Sequence, residues 1–356
     1  MKYLKPITYF HVITGNRGDM AIKKSITEAI QERINVPFAF FNVKFEELTE
    51  QRIINQLNKD CSALIIAGSG LYTNYPMSSG FYFPCKTELF EKIKVPIMLI
   101  GLGCNNNLGS DIFKGDLTDK AKKSIKLIND LAVISTVRDQ RTYDMLSNLG
   151  ITKHQLMLDP GNFLRVPRIP EEKRVAINLA QHSPALGRFD GTTELRTYNV
   201  NTFANISNYL INKNYEVIFI AHDALETSLF IDIKKFVPRL QYLNSDNLDE
   251  MLKEYSRCQF SIGAKMHSSI MSFASGTPFI SLYYDQKQIE YLKMIDCNEL
   301  GISIFSDYSD TLKEKIDMII NNLDYYTNKI VNLKQQEQIK FDTLMDKLCN
   351  IISTTP

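Results

Sequence analysis

Apolar and polar positions along this chain alternate in blocks rather than residue by residue. Runs such as Ala63-Leu-Ile-Ile-Ala67 lack polar alternation, as strands covered on both faces in a parallel sheet do. Between such runs the apolar residues recur at helical spacing. The first half reads as strand Ile7–Ile13, helix Met20–Ile34, strand Phe38–Val43, helix Glu50–Asn58 and strand Ala63–Ala67. Strand Ile97–Leu102, helix Asp119–Asp130, strand Val133–Val137, helix Gln140–Leu149 and a short strand near Leu156 follow.

Asp159-Pro-Gly-Asn-Phe-Leu-Arg-Val-Pro-Arg-Ile-Pro170 carries three prolines and a glycine and reads as a linker. Beyond it the alternation restarts, with strands at Val175–Leu179, Val217–Ala221, Gln241–Leu243, Gln259–Ile262 and Phe279–Leu282. Helices are expected at Val200–Asn212, Leu225–Phe236, Leu248–Ser256, His267–Ala274 and Gln288–Met294. The charged tail from Asp310 to about Ile352 reads as a closing helix that braces two domains. The expected fold class is α/β, with two doubly wound Rossmann-like domains facing a cleft. The boundaries fall at 1–165, 166–308 and a helical segment 309–356.

Composition narrows the class. The chain has 356 residues, 44% of them hydrophobic, enough for about two domains with sizeable cores. A net charge of +1 and the lack of a basic run argue against a nucleic-acid surface, so any anion site is local. Six scattered cysteines form no Cys-x-x-Cys pair; neither a zinc site nor a disulfide framework is expected, and the pattern suits a reducing cytoplasm. Cys61 and Cys258 flank apolar runs and read as buried thiols, whereas His154 and His182 read as surface-loop residues. The N-terminus reads as a first strand rather than a signal peptide. No stretch reaches the roughly 20 apolar residues of a membrane span. Peripheral association with the inner face of the cytoplasmic membrane and homo-oligomer formation stay open.

Candidate chemistry sits where strands end and helices begin. In Ser261-Ile-Gly-Ala-Lys-Met-His-Ser-Ser, Lys265, His267 and Ser268 fall at a helix N-terminus after a strand, a place that favours anions. Gly15-Asn16-Arg-Gly18-Asp19 follows the first strand; Asn16 or Asp19 caps a helix there, or the turn approaches a ligand. Gly68-Ser69-Gly70 offers bare amides or simply a tight turn. Arg138-Asp139 offers a guanidinium fork beside a helix cap, or a structural ion pair. His222-Asp223 ends another strand, as core histidine and cap or as site residues, and Lys287 adds charge at the same rim.

The ordered set Asn16-Arg-Gly-Asp19, Gly68-Ser-Gly70, Val137-Arg-Asp139, Asp159-Pro160, Lys265-Met-His267, Gly276-x-Pro278 and Tyr284-Asp-Gln-Lys287 resembles the polysaccharide pyruvyl transferase family. The resemblance spans roughly Gly15 to Leu292. It implies a fold like the two-domain glycosyltransferase B architecture, with the acceptor on the N-terminal side and the donor on the C-terminal side. It also implies transfer of an enolpyruvyl unit from phosphoenolpyruvate to a sugar of a bacterial surface polysaccharide or its lipid-linked or nucleotide-linked precursor, forming a pyruvate ketal. The family's Arg-x-His pattern maps to Lys265 and His267; lysine keeps the charge and loses the bidentate fork.

That chemistry suits the residues. Phosphoenolpyruvate brings a phosphate and a carboxylate, for which Lys265 and Arg138 are the expected holders. His267 is the expected general acid at C3 or a hydrogen-bond donor that binds the phosphate, and Asp19 or Asp223 the base toward sugar hydroxyls. Asn16, Gly18, Gly68, Ser69, Gly70, His222, Ser268 and Lys287 complete the expected binding set. No cofactor and no metal is expected, since no Asp-x-Asp or His/Cys ligand spacing occurs. Two alternatives stay in view: a nucleotide-sugar glycosyltransferase of the same architecture, and a non-catalytic glycan-binding protein.

Overall fold

The computed structural model describes residues 4–11, 17–42, 46–73, 80–81, 86–104, 117–169, 173–180 and 192–355. Two six-stranded sheets, parallel throughout, form the frame. The first holds β1 (Ile7–His11), β2 (Phe38–Asn42), β3 (Ala63–Ala67), β4 (Ile97–Leu102), β5 (Ala132–Val137) and β6 (His154–Leu156), in the order β2-β1-β3-β4-β5-β6. Its helices are α1 (Arg17–Gln31), α2 (Gln51–Asp60), α3 (Thr87–Phe90), α4 (Asp119–Leu131) and α5 (Gln140–Asn148).

The second sheet holds β7 (Arg174–Asn178), β8 (Glu216–Ile220), β9 (Gln241–Leu243), β10 (Phe260–Gly263), β11 (Phe279–Tyr283) and β12 (Gly301–Ser303). Their order is β12-β11-β10-β7-β8-β9. Helices α6 (Thr192–Asn212), α7 (Thr227–Lys234), α8 (Leu248–Arg257), α9 (Met266–Ala274) and α10 (Gln286–Met294) connect them. α11 (Ser309–Asn321) and α12 (Leu323–Thr354) follow.

Both orders reverse direction once, between β1 and β3 and between β7 and β10. Ligands of such sheets lie in the crevice beyond the strands' carboxyl ends at that reversal. The strand ends and helix starts reaching those two crevices carry Gly18-Asp19, Gly68-Ser69-Gly70, Asn178 and Lys265-His267.

The apolar runs behave as the sequence predicts: β1, β3 and β7 are buried at every position. One continuous apolar cluster runs from Tyr9 and Ile65 through Phe163 to Phe219 and Ile262, and on to Leu344 of α12. The first half of the stretch read as a linker is interior: Pro160, Gly161, Asn162 and Phe163 form a buried 3₁₀ turn, while Arg165, Pro167 and Ile169 beyond it are exposed. Its backbone is satisfied locally, with Asp159 Oδ1 accepting from Gly161 N at 3.0 Å and Asn162 Nδ2 donating to Asp159 O at 2.8 Å.

The charged tail divides into α11 and α12, and α12 reaches back to the first sheet's helices. Arg33, just past α1, pairs with Asp342 and Asp346 at 2.9 and 2.6 Å, and Phe341 stacks on Phe163 with centroids 4.3 Å apart. Among the described residues no helix is long and apolar enough to cross a membrane.

Other expectations change. α1 starts at Arg17 rather than Met20, so Asp19 lies in its first turn and is not its cap. His154 is a buried residue of β6, not a loop residue; its Nε2 lies 3.0 Å from Tyr143 O and 3.3 Å from Ser147 Oγ. Cys258 is buried, Cys61 only half so, and His182 lies outside the described residues. Cys61, Cys104, Cys258, Cys297 and Cys349 are free thiols.

Candidate active site

The site forms where the amino ends of α1 and α9 meet. α9 begins directly after β10, with Lys265 at the N-cap position. Helix α1 is drawn to it by the second sheet's loops. Arg17 N donates to His222 O at 3.1 Å, and Arg17 Nε donates to Ser245 O at 2.8 Å. Arg17 also pairs with Asp246 at 2.5 Å. These contacts bring Gly18 against His267: a Cβ built on Gly18 would lie 2.0 Å from imidazole Cγ and Nδ1. Only a glycine leaves room for the ring.

His267 is half-buried, and its Nε2 is buried without a hydrogen-bond partner among the described residues. Burial depresses its pKa well below the ordinary value, and the charges of Arg138, Lys287 and Lys265 push the same way. The imidazole is accordingly neutral at pH 7.

Each surrounding cation already has a carboxylate partner. Lys265 Nζ lies 2.5 Å from Asp223 Oδ2 and 2.7 Å from Glu226 Oε1. Arg138 Nη1 donates to Asp159 Oδ2 at 2.7 Å, both side chains being almost fully buried. The structural-pair reading of Arg138 thus holds, with Asp159 rather than Asp139 as its partner. Asp139 instead caps α5, accepting from Thr142 N at 2.7 Å. Lys287, in the first turn of α10, pairs with Asp285 at 3.2 Å.

Glu226, which no motif in the sequence marks, organises the second crevice. Its Oε2 accepts from His222 N at 2.7 Å and from Asn178 Nδ2 at 2.9 Å, while Oε1 takes Lys265. Burial raises its pKa, with Lys265 offsetting part of the effect. Burial acts on Asp223 in the same sense, but Lys265 outweighs it and the net shift is downward. Asp223 also caps the short turn after β8, accepting from Leu225 N at 2.9 Å. Asn178 completes the cluster by accepting from Lys265 N at 3.2 Å. Only position could have given a signal: Asn178 is the last residue of the buried strand β7, and Glu226 follows β8.

His222 is fully buried, its Nε2 2.7 Å from Tyr255 Oη and its Nδ1 unpartnered among the described residues. Burial, then Lys265 and His267, hold its pKa well below normal. Ser268 is buried in the first turn of α9. Asp19 is buried one residue beyond Gly18. Gly68 and Ser69 both take positive φ, 72° and 62°, a strained conformation for serine, as β3 turns out of the sheet. Gly68 N donates to Ile100 O at 2.8 Å, so that amide is not available to an anion. Gly70 is buried beside them, and Asn16 lies outside the described residues.

The arrangement therefore joins His267, Gly18, Asp19, Lys265, Asp223, His222 and Ser268 around the two helix ends. Arg138 and Lys287 act on the imidazole by charge, and Gly68-Ser69-Gly70 lines the first crevice. A neutral, half-buried imidazole between two helix amino ends can move protons next to an anion.

A model of the polysaccharide pyruvyl transferase family matches residues 16–286. The amylovoran biosynthesis protein AmsJ of Erwinia amylovora is 22% identical over 235 residues, 57% of this chain and 55% of that one. The match thus covers about half the length of that curated relative. UDP-GlcNAc 2-epimerase from Neisseria meningitidis, bound to UDP-GlcNAc, superposes with a TM-score of 0.58 at 10% identity, over 96% of this chain and 100% of that one. The S. aureus MnaA–UDP co-structure gives 0.60 at 9% identity, over 99% of each chain. At such identities the likeness is one of fold, of the glycosyltransferase B type.

Proposed function

Because this chain belongs to the polysaccharide pyruvyl transferase family, we propose that it moves an enolpyruvyl unit from phosphoenolpyruvate to two hydroxyls of one sugar of a surface glycan or its precursor. The product is a pyruvate ketal and inorganic phosphate. The observation that carries the reading is the imidazole of His267 set against Gly18, between two helix amino ends and within the field of three cations.

In this reading the donor's phosphate and carboxylate lie at the amino end of α9, and the sugar approaches from the first sheet. Protonated His267 gives a proton to C3 while a sugar hydroxyl adds to C2. That C2 then bears methyl, carboxylate, phosphate and the sugar oxygen. A second hydroxyl of the same sugar attacks C2, and phosphate leaves with the C–O bonding pair. Each hydroxyl gives its proton to a base. Asp19 and Asp223 are the carboxylates proposed for that role; Lys265 holds Asp223 in its charged form. Free His267 is neutral, so the donor's own negative charge must recharge it by offsetting Arg138, Lys287 and Lys265.

The test is incubation of the purified protein with phosphoenolpyruvate and lipid-linked or nucleotide-linked sugars. Phosphate release with a matching mass gain on the sugar is expected, and His267→Ala should abolish both. A nucleotide-sugar glycosyltransferase is the second reading, favoured by the fold shared with UDP-bound proteins. Thermal stabilisation by nucleotide sugars alone, with none by phosphoenolpyruvate, would establish it instead.

A further inference from the structure

Lys334 of α12 has an unusual environment. Its side chain is half-buried, and the ammonium donates to Ala274 O, the last residue of α9, and to Leu164 O at 3.4 Å. No ion pair to it occurs among the described residues. Burial without an anionic partner lowers its pKa to about 8. A desolvated, unpaired cation is destabilising, and an apolar side chain would fill the same space more favourably. What the ammonium supplies is geometry: it ties α12 to the carboxyl end of α9 and to the segment after the buried turn.

That turn is the hub on which both site helices rest. Gly161 lies between them, a Cβ there being 3.1 Å from Ile270 of α9 and 3.6 Å from Ala21 of α1. On the same hub Phe163 stacks against Phe341 of α12, and Tyr291 Oη donates to Asn162 Oδ1 at 2.6 Å. Further along α12, Asp342 and Asp346 hold Arg33 just past the far end of α1. One helix thus grips the trailing ends of both helices whose leading ends carry Gly18 and His267.

We propose that Lys334 is a positioning residue for His267: by holding the carboxyl end of α9 to the Leu164 carbonyl, it sets where the amino end of that helix presents the imidazole to Gly18. His267 and Ala274 lie seven residues apart, roughly 10 Å along the axis of α9, a rigid lever. The consequence for activity rests on the proposed pyruvyl transfer; the consequence for the imidazole does not.

The experiment follows the His267 ring resonances by NMR in wild type, Lys334→Arg and Lys334→Met, assigned by their loss in His267→Ala. In wild type an inflection near pH 8 is expected as Lys334 loses its proton. Lys334→Arg stays charged and should lose that inflection while keeping the wild-type shifts. Lys334→Met should displace the shifts at every pH. In the activity assay, a misplacement on the order of 1 Å predicts a kcat loss approaching 10²-fold for Lys334→Met, with Lys334→Arg restoring most of it. His267 resonances that are unchanged in Lys334→Met overturn the proposal. Where Lys334→Met misfolds, Lys334→Gln, shorter and uncharged, gives the same readout, and wild-type shifts in it overturn the proposal equally. Absence of turnover in wild type would count against pyruvyl transfer and leave the NMR result to decide the positioning role.

Discussion

Gly18 and His267 belong to helices that flank different sheets, yet a side chain on the first would occupy the ring of the second, with 2.0 Å separating its Cβ from two imidazole atoms. The glycine lies inside α1, where alanine would ordinarily favour the helix by about 1 kcal/mol. Gly18→Ala therefore sets helix propensity against the imidazole. The expected outcome is loss of most activity with His267 displaced. The double variant Gly18→Ala/His267→Ala should be more thermostable than Gly18→Ala alone. If Gly18→Ala keeps wild-type turnover and stability, the contact has no functional weight.

Lys265 answers to two carboxylates before it answers to any ligand. Replacing it with methionine leaves Glu226 buried and uncompensated, with Asp223 beside it. Breaking such a buried pair costs about 3–5 kcal/mol. Lys265→Met should lower the unfolding free energy by about that much, and adding Glu226→Gln should recover a large part. Chemical denaturation of the three proteins checks this. Equal stability of Lys265→Met and wild type would show the pair to be open to water.

The depressed histidines predict an acid-side loss of stability. His222 and His267 both have folded pKa values below the ordinary value of about 6.5. Between the folded value and 6.5 the unfolded chain binds more protons, so stability is fully present above pH 6.5 and falls below it. The raised pKa of Glu226 acts in the opposite sense. Comparison with His222→Gln isolates one histidine: the variant's stability should decline less steeply from pH 6.5 downward. Parallel pH curves for the two proteins would rule out a neutral, buried His222.

The strands were legible because double-sided burial writes itself as unbroken apolar runs, and β3 and β4 match the predicted ranges residue for residue. The helix ends were less so. α1 starts at Arg17 because its first amide binds His222 O, a bond no local pattern announces. Pro160-Gly161 looks like a linker by composition; it is buried because an apolar phenylalanine follows and α12 covers it. β12 has only three residues, one of them glycine, too few for a periodicity. At the site, the strand-end placement of Lys265, His267 and Asp223 could be read in advance. That Asp223 would be the partner of Lys265 could not, the two being 42 positions apart and the pairing made only by the sheet order.

The last prediction follows from the charge on His267. Free imidazole is neutral because burial, Arg138, Lys287 and Lys265 all disfavour its proton. A general acid must carry that proton, so the donor has to supply the missing electrostatic support. Phosphoenolpyruvate, with its phosphate and carboxylate, would raise the pKa of a neighbouring imidazole on binding. Protons are then taken up between the free and bound pKa values, and donor affinity strengthens as pH falls through that window. Calorimetric titration near pH 6.5 in two buffers of different ionisation enthalpy measures the uptake directly. Wild type should gain a sizeable fraction of a proton per bound donor, and His267→Gln should gain much less. Tight binding with no proton uptake would leave His267 neutral in the complex, and would assign it to the base side of the reaction, taking a sugar hydroxyl's proton rather than giving one to C3.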